Sequence, residues 1–182
     1  MRALLKKMQR RVLVGDWVAL SCVEWTAQRA MVHQPLPRSA AVLDDPPVAN
    51  AQQLVVCFSL ADPPVEAVQL TRFLVSAEGS GIPFRIVFNK ADLGGPDRRA
   101  ETAQQLADWG YTGETAPHFV SVASGEGLEV LAGHMAGLLT VIAGPRRALA
   151  GAAAPSSALT PHPAVVWVSR ASSMLCACRL ER

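Results

Sequence analysis

Four short apolar runs in the middle of the chain alternate with segments whose apolar residues recur at helical spacing. The runs cover residues 54–60, 85–89, 118–122 and 140–144. Branched and aromatic runs of this length, bounded by glycine and proline, are typical of strands buried in a parallel sheet. The alternation predicts an α/β fold in which right-handed crossovers connect the strands.

Three helices are predicted between these strands, each with glycine near its end or proline near its start. The first begins at Pro63-Pro64, ends at Gly79 and Gly81, and has an apolar face of Val65, Val68, Leu70, Phe73, Leu74 and Ala77. The second covers residues 98–109 and is capped by Gly110. The third has an apolar face of Leu128, Val130, Leu131, Met135, Leu138 and Leu139.

Both ends of the chain differ from this middle part. Residues 12–20 are predicted to form two strands around a turn and residues 30–33 a third, which suits a small barrel but cannot close one. Prolines in residues 35–47 mark a boundary. Beyond Pro145, Ala, Gly, Pro and Ser dominate apart from the apolar run 164–168, so this tail is predicted to be mostly disordered or weakly packed. The predicted domains are therefore residues 1–45, 46–145 and 146–182.

Composition limits the chemistry. The net charge of +2 is too small to argue for nucleic-acid binding by itself. No apolar run approaches the ~18 to 20 residues of a membrane-spanning helix, so we expect a soluble chain without a membrane partner. The cysteines do not form a disulfide framework, which favours a reducing compartment; they are Cys22, Cys57, Cys176 and Cys178. The last two, with His162, lack the spacing and the fourth ligand of a zinc site, and no metal is predicted.

A polar motif, Asn89-Lys90-Ala91-Asp92, directly follows the second predicted strand. Ligands of open parallel sheets bind at the carboxyl ends of strands. The Asp92 carboxylate can accept two hydrogen bonds, and guanine offers two matching donors at N1–H and its exocyclic amine, whereas adenine does not. A four-residue pattern also arises by chance, so its position between a strand and a helix is what favours a functional interpretation.

A second motif, Ser121-Val122-Ala123-Ser124-Gly125-Glu126-Gly127-Leu128, follows one crossover later. In this order the two motifs resemble those of the circularly permuted GTPases of small-ribosomal-subunit biogenesis, the RsgA, YjeQ or EngC type. In that family the base-reading motifs precede the phosphate-binding loop. The resemblance covers about residues 3–145, includes residues 10–16, 45–50, 70–75 and 140–145, and points to the plant and algal, plastid-associated branch.

The resemblance implies an oligonucleotide-binding (OB) type β-barrel, here only a fragment, followed by a P-loop-type GTPase domain and a zinc-binding domain. It also implies docking on the small ribosomal subunit and hydrolysis of GTP. Carried over by position, Asn89, Lys90 and Asp92 would read the guanine of GTP or GDP, and the supporting loop would be Ser121, Val122 and Ala123. Five basic residues could contact phosphates of ribosomal RNA, or form a solvated face of the incomplete barrel: Arg2, Lys6, Lys7, Arg10 and Arg11.

The sequence departs from the family at the phosphate site. After Gly-Pro the family continues as Ser-Gly-Val-Gly-Lys-Ser-Ser, whose backbone N–H groups and lysine hold the phosphates while a hydroxyl ligates Mg²⁺. Here Gly144-Pro145 is followed by Arg146-Arg147-Ala148-Leu149-Ala150-Gly151. The family implies Mg²⁺, yet the side chains that would ligate it are absent from this stretch. No catalytic residue is predicted. The GTPase domain is therefore expected to be partial, truncated before the phosphate-binding loop and without the switch regions and the zinc-binding domain.

Three functions remain open. The chain could be a member or fragment of a GTP-binding, GTP-hydrolysing factor for small-subunit maturation that has only the guanine-recognition half. It could instead be a non-catalytic RNA- or ribosome-binding pseudo-GTPase, or a non-functional truncated isoform. The compartment is predicted to be a plastid or the cytoplasm.

The nucleotides around the Pro145 codon test why the family's loop is missing. Codons such as CCC-CGT-CGG-GCG-TTG-GCG for Pro-Arg-Arg-Ala-Leu-Ala also encode Pro-Ser-Gly-Val-Gly when read from the third base. We hypothesise that the tail from Arg146 is a frame-shifted or alternatively spliced product. We therefore expect another frame of the gene to encode a phosphate-binding loop here. Genomic sequence with no such loop in any frame refutes this hypothesis.

Overall fold

The computed structural model describes residues 2–5, 12–27, 29–38, 43–44, 47–149 and 165–168. The chain forms two compact units, Met1–Ala51 and Gln52–Arg182. The three predicted domains remain a prediction. In the described part of the chain, no helix is both long enough and apolar enough to cross a membrane.

The first unit contains a three-stranded sheet and a short antiparallel pair of strands. The sheet consists of β1 (Arg2–Leu5), β2 (Val18–Glu24) and β3 (Arg29–Pro35), and the pair of β4 (Leu43–Asp44) and β5 (Pro47–Val48). In the sheet, β3 lies in the centre, antiparallel to β2 and parallel to β1. These strands agree with the predicted fragment of a small barrel.

The turn before β2 differs from the prediction, because residues 12–16 do not form a strand. The Leu13 N–H donates to the Asp16 carboxylate at 2.8 Å, and Arg38 donates to both oxygens of that carboxylate at 2.7 and 3.0 Å. Side-chain acceptors of this kind take backbone donors away from a sheet. Only Val14 pairs as in a strand, through an isolated bridge to Val48.

The second unit is built on a five-stranded sheet in which every pair is parallel. Its strands are β6 (Gln53–Ser59), β7 (Phe84–Asn89), β8 (His118–Phe119), β9 (Thr140–Ala143) and β10 (Val165–Val168). The spatial order is β10-β9-β6-β7-β8, so β6 is the middle strand, and every one of its residues is buried. The four predicted strands and the α/β parallel sheet are confirmed, although β8 is shorter than expected.

Two short segments of the tail have regular secondary structure. The apolar run near residue 165 forms β10 and pairs with β9. Directly after Pro145 the chain forms a short helix in which Ala148 is buried. The run at residue 165 is the one that the sequence sets apart from the rest of the tail. That most of the tail is disordered or weakly packed stays a prediction, because the other residues after Leu149 lie outside the described residues.

The helices are α1 (Ala67–Gly79), α2 (Ala91–Asp108), α3 (Leu128–Met135) and α4 (Arg146–Leu149). On α1 the buried stripe is Leu70, Leu74 and Ala77, so Val68 lies off it and is 74% exposed, contrary to the prediction. The third helix ends earlier than predicted, because the chain leaves helical geometry at Ala136 and Gly137 has a φ of +74°.

The second helix begins earlier than the predicted residue 98. A first turn starts at Ala91, and a break at Gly95, with φ +66°, separates it from the longer part that begins at Pro96. This extra turn carries Asp92. At the other end, the Gly110 and Tyr111 N–H groups bond to Ala107 and Leu106, which confirms the predicted glycine cap.

Apolar side chains pack on both faces of the sheet. One cluster joins three strands to α3 and consists of Val55, Cys57, Val87, Val120, Leu128, Leu131, Met135 and Ile142. Elsewhere the Phe58 ring lies 5.5 Å from Phe73 of α1 and 6.3 Å from Phe88. Burial raises the pKa of the Cys57 thiol to about 12, so this free cysteine stays protonated.

The register of the parallel strands sets their carboxyl ends side by side. Ser59 lies beside Asn89, and Val56 beside Ala143. Gly144 then passes so close to β6 that a Cβ there would lie 1.9 Å from the Cys57 carbonyl oxygen. Since both clashing groups belong to the backbone or are bonded directly to it, only glycine fits at this position.

We expect Gly144→Ala to destabilise the chain strongly, by more than the ~1 to 3 kcal/mol that is typical of overpacking. Gly133→Ala in α3 is the control, because a Cβ there would meet no atom within 4 Å. Alanine is also more favourable than glycine inside a helix, by about 0.5 to 1 kcal/mol. Urea unfolding measures both changes. Equal stability of the two variants would contradict the close approach.

Candidate functional site

Asn89 is the last residue of β7 and is almost completely buried. Its Oδ1 accepts hydrogen bonds from the backbone N–H groups of Lys90 at 2.8 Å and Val122 at 3.3 Å. Its Nδ2 donates to the Ala148 carbonyl at 2.9 Å. The amide therefore connects the segments that follow β7, β8 and β9, and it braces the site from inside.

Lys90 has a left-handed backbone, with φ +60°, and begins the first turn of α2. Its ammonium group donates to the Asp62 carbonyl, which also accepts the Ser59 hydroxyl at 2.8 Å. This contact connects the loop after β6 to the same edge of the sheet.

Asp92 lies in the first turn of α2 with an exposed side chain. Its Oδ1 accepts the Ser121 hydroxyl at 2.6 Å, and the fully buried Ser121 Oγ in turn accepts the Ser124 N–H at 3.2 Å. The described residues supply no hydrogen bond to Oδ2. A carboxylate has about four acceptor positions, so Asp92 is oriented by one bond and can accept more.

The loop from Ser121 to Gly127 closes on itself. The Ser121 N–H donates to the Glu126 carbonyl at 3.0 Å, and the Gly125 N–H donates to the Ser121 carbonyl at 2.9 Å. Gly127 is required here, because its φ is +72° and a Cβ would lie 2.6 Å from the Phe119 carbonyl oxygen. The loop thus has a defined shape beside Asp92.

The three predicted residues of this loop have different roles. Ser121 holds Asp92, and the Val122 N–H is directed to Asn89. Ala123 is exposed, and its N–H makes no hydrogen bond with the described residues. Ala123 is therefore a free backbone donor on the loop that faces Asp92.

One ion pair at the site was not predicted from the sequence. Arg99 of α2 donates to both carboxylate oxygens of Glu126, at 2.6 and 2.9 Å, and to the Ala91 carbonyl at 3.0 Å. Hydrogen bonding to Arg99 lowers the pKa of the Glu126 carboxyl, and hydrogen bonding to Glu126 raises the pKa of Arg99. The partners are far apart in sequence, and no spacing pattern indicates that they meet.

The predicted RNA-contact residues lie only partly within the described residues. Arg2 belongs to β1, in the first unit, whereas Lys6, Lys7, Arg10 and Arg11 lie outside the described residues. Their assignment stays a prediction.

A family model described as RsgA GTPase matches residues 32–148, which include every residue of the site at the carboxyl edge of the sheet. The chain belongs to the RsgA GTPase family. Its parallel sheet is accordingly that of a circularly permuted GTPase, as predicted, and its edge carries the motifs on which that prediction was based.

Relatives of this RsgA-family chain come from cyanobacteria and plants. The small ribosomal subunit biogenesis GTPase RsgA of Thermosynechococcus vestitus is 40% identical over 144 residues, which are 79% of this chain and 40% of the relative. The Arabidopsis thaliana protein named RsgA 1, mitochondrial, is also 40% identical, over 79% of this chain and 32% of the relative. The chain thus spans two fifths or less of these two proteins.

Solved structures share the fold of this RsgA-family chain. YjeQ from Thermotoga maritima matches with a TM-score of 0.67 and 23% identity, over 88% of this chain and 56% of that protein. YloQ, described as a circularly permuted GTPase, matches with a TM-score of 0.60 and 26% identity, over 82% and 53%.

Membership of the family raises the question of Mg²⁺, which needs oxygen ligands. Residues 144–149 include no hydroxyl or carboxylate side chain. Within the described ranges, no group of three or more His, Cys, Asp or Glu residues could hold a metal ion. Residues 144–149 therefore do not fit Mg²⁺, and we assign no chemical step to it.

We expect Asn89→Ala to destabilise the chain by about 1 to 3 kcal/mol, because it leaves the Ala148 carbonyl and two backbone N–H groups without their partner. Gln104→Ala is the matched control: Gln104 is exposed and loses only a bond to Asp108, so a change within about 0.5 kcal/mol is expected. Urea unfolding followed by tryptophan fluorescence measures both. A neutral Asn89→Ala would refute the bracing role.

Proposed function

We propose that this chain contains the guanine-recognition half of an RsgA-type GTPase that acts in maturation of the small ribosomal subunit. The observation that carries the proposal is the Asp92 carboxylate, which Ser121 orients through one oxygen while the other is open to a ligand. The names of the relatives supply the biological setting. Since the chain spans only 40% of the Thermosynechococcus relative, we also propose, and do not carry over, the activity of the whole protein.

Guanine fits these groups by hydrogen-bond complementarity. Its N1–H and exocyclic amine donate to the Asp92 carboxylate, and its carbonyl oxygen accepts from the free Ala123 N–H. The apolar stem of Lys90 covers one face of the base, and Asn89 and Val122 keep the two segments together. GTP and GDP are equally good ligands for such a site, because it contacts only the base.

A second candidate is a binding module without turnover. It is favoured by the segment after β9, where Arg146 and Arg147 replace the glycines and serine of a phosphate loop and Ala148 is buried. Phosphoryl transfer depends on positioning and charge neutralisation around the phosphates, and arginine side chains do not replace a nest of backbone donors. In this reading the chain binds guanine nucleotide, or ribosomal RNA through Arg2, Lys6, Lys7, Arg10 and Arg11, without hydrolysis.

The compartment belongs to the same proposal. Two Arabidopsis relatives are named mitochondrial, and the relatives from Thermosynechococcus vestitus and Trichormus variabilis are cyanobacterial. We propose an organelle of bacterial origin, and a plastid is the specific prediction.

Asp92→Asn is expected to weaken GDP binding about 100-fold, because the amide loses the charged acceptors and turns an NH₂ group toward the donors of guanine. It is expected to improve binding of xanthosine diphosphate, whose 2-carbonyl accepts from that NH₂ group. Equilibrium dialysis with labelled GDP, XDP and ADP measures the change. Asp97→Asn is the control, since Asp97 is exposed further along the same helix and is not part of the site.

The three open functions give different results in this experiment. Binding of GDP over ADP with release of phosphate from GTP supports the GTP-hydrolysing factor, and the same preference without phosphate release supports the binding module. An absence of base preference, with non-cooperative unfolding, supports a non-functional product. GDP binding that is unchanged by Asp92→Asn would refute the site assignment.

A further inference from the structure

We propose that Arg99 and Glu126 are positioning residues that lock the two guanine-binding segments together and thereby set base specificity. The inference rests on the proposed function, since it concerns the same site. It adds Arg99, which lies outside both motifs, and Glu126, a position of the second motif without a predicted role; the base touches neither residue.

The Arg99 guanidinium forms hydrogen bonds with both segments. Two of its nitrogens hold the Glu126 carboxylate at 2.6 and 2.9 Å, in the fork arrangement that fixes a planar pair. One of these nitrogens also donates to the Ala91 carbonyl at 3.0 Å. Ala91 is buried and lies between Lys90 and Asp92, so the contact holds the backbone that presents the carboxylate.

Glu126 completes a closed ring of contacts. Its carbonyl accepts the Ser121 N–H at 3.0 Å, and the Ser121 hydroxyl donates to Asp92 at 2.6 Å. Asp92 is one residue from Ala91, which Arg99 holds. A displacement of any member therefore moves the Asp92 carboxylate relative to the loop that carries the free Ala123 donor.

The loop needs such a link because glycines flank Glu126 on both sides. Gly125 and Gly127 have φ values of +84° and +72°. Glycine gives a chain more accessible conformations than any other residue, so the loop has to be held by contacts. The Glu126 side chain provides such a contact by binding Arg99 of α2, which lies outside the loop. Lysine in place of Arg99 would lack the planar fork of donors.

Folding stability alone does not explain this pair. Its side chains are 30% and 45% exposed, and exposed ion pairs contribute little to stability. The Arg99 Nε is buried without a hydrogen-bond partner in the described structure, which costs folding free energy. The other two nitrogens make three hydrogen bonds. The geometry points to orientation of the loop as the role of the pair.

Hydrogen exchange tests the ring without any nucleotide. In the ligand-free chain, Arg99→Lys and Glu126→Gln are expected to speed amide exchange across residues 121–127, where Ser121 and Gly125 report directly through their bonded N–H groups. Arg98→Lys and Glu129→Gln are matched controls, because both are exposed neighbours outside the ring. Exchange that is as slow in the two ring variants as in the controls overturns the proposal.

Base discrimination tests the effect on specificity. Inosine diphosphate lacks the exocyclic amine, so the ratio of GDP to IDP affinity reports the second hydrogen bond to Asp92. We expect each ring variant to lower this ratio about threefold to fivefold, with no further loss in the double variant and no change in the controls. Faster loop exchange with an unchanged ratio would overturn the specificity role and leave a structural pair. Wild-type protein that binds GDP no better than ADP would refute the proposed function itself, and exchange would still decide whether the pair holds the loop.

Discussion

The buried amide of Asn89 is the contact on which the rest of the site depends. An uncharged side chain with two donors and two acceptor positions joins backbone groups of three segments that are distant in sequence. Because it is almost fully buried, each lost bond would leave a desolvated backbone group behind. The edge of the sheet is therefore organised around Asn89 before any ligand arrives, and Asp92 is left to face the solvent.

The parallel sheet makes this arrangement possible. Its register sets the ends of β6 and β7 level, and Gly144 lets the chain after β9 pass against the Cys57 carbonyl. A side chain at that position would push the following segment away from the sheet. The Ala148 carbonyl would then no longer reach Asn89.

The two halves of the proposed GTP site are unequal in this chain. The base half has an oriented carboxylate, a closed loop and an ion pair that connects them. At the proposed phosphate half, arginines and a short helix stand where the resemblance implies glycines, lysine and a hydroxyl. Family membership and the chemistry of one chain are thus separate questions, because a fold does not by itself determine the chemistry of its site.

The sequence by itself determined the family and four strands of the parallel sheet, and it predicted which residues would read a guanine base. Buried parallel strands are continuous apolar runs, and the Asn-Lys-x-Asp motif follows one of them, so both are visible in local sequence. The extra turn that carries Asp92 and the strand at Val165–Val168 were not predicted, since one depends on a backbone break at Gly95 and the other on pairing with β9. Only the tertiary structure decided that the Val122 N–H faces Asn89 and that Arg99 meets Glu126. Such contacts join residues that the fold brings together across the sheet edge, and no local spacing records them.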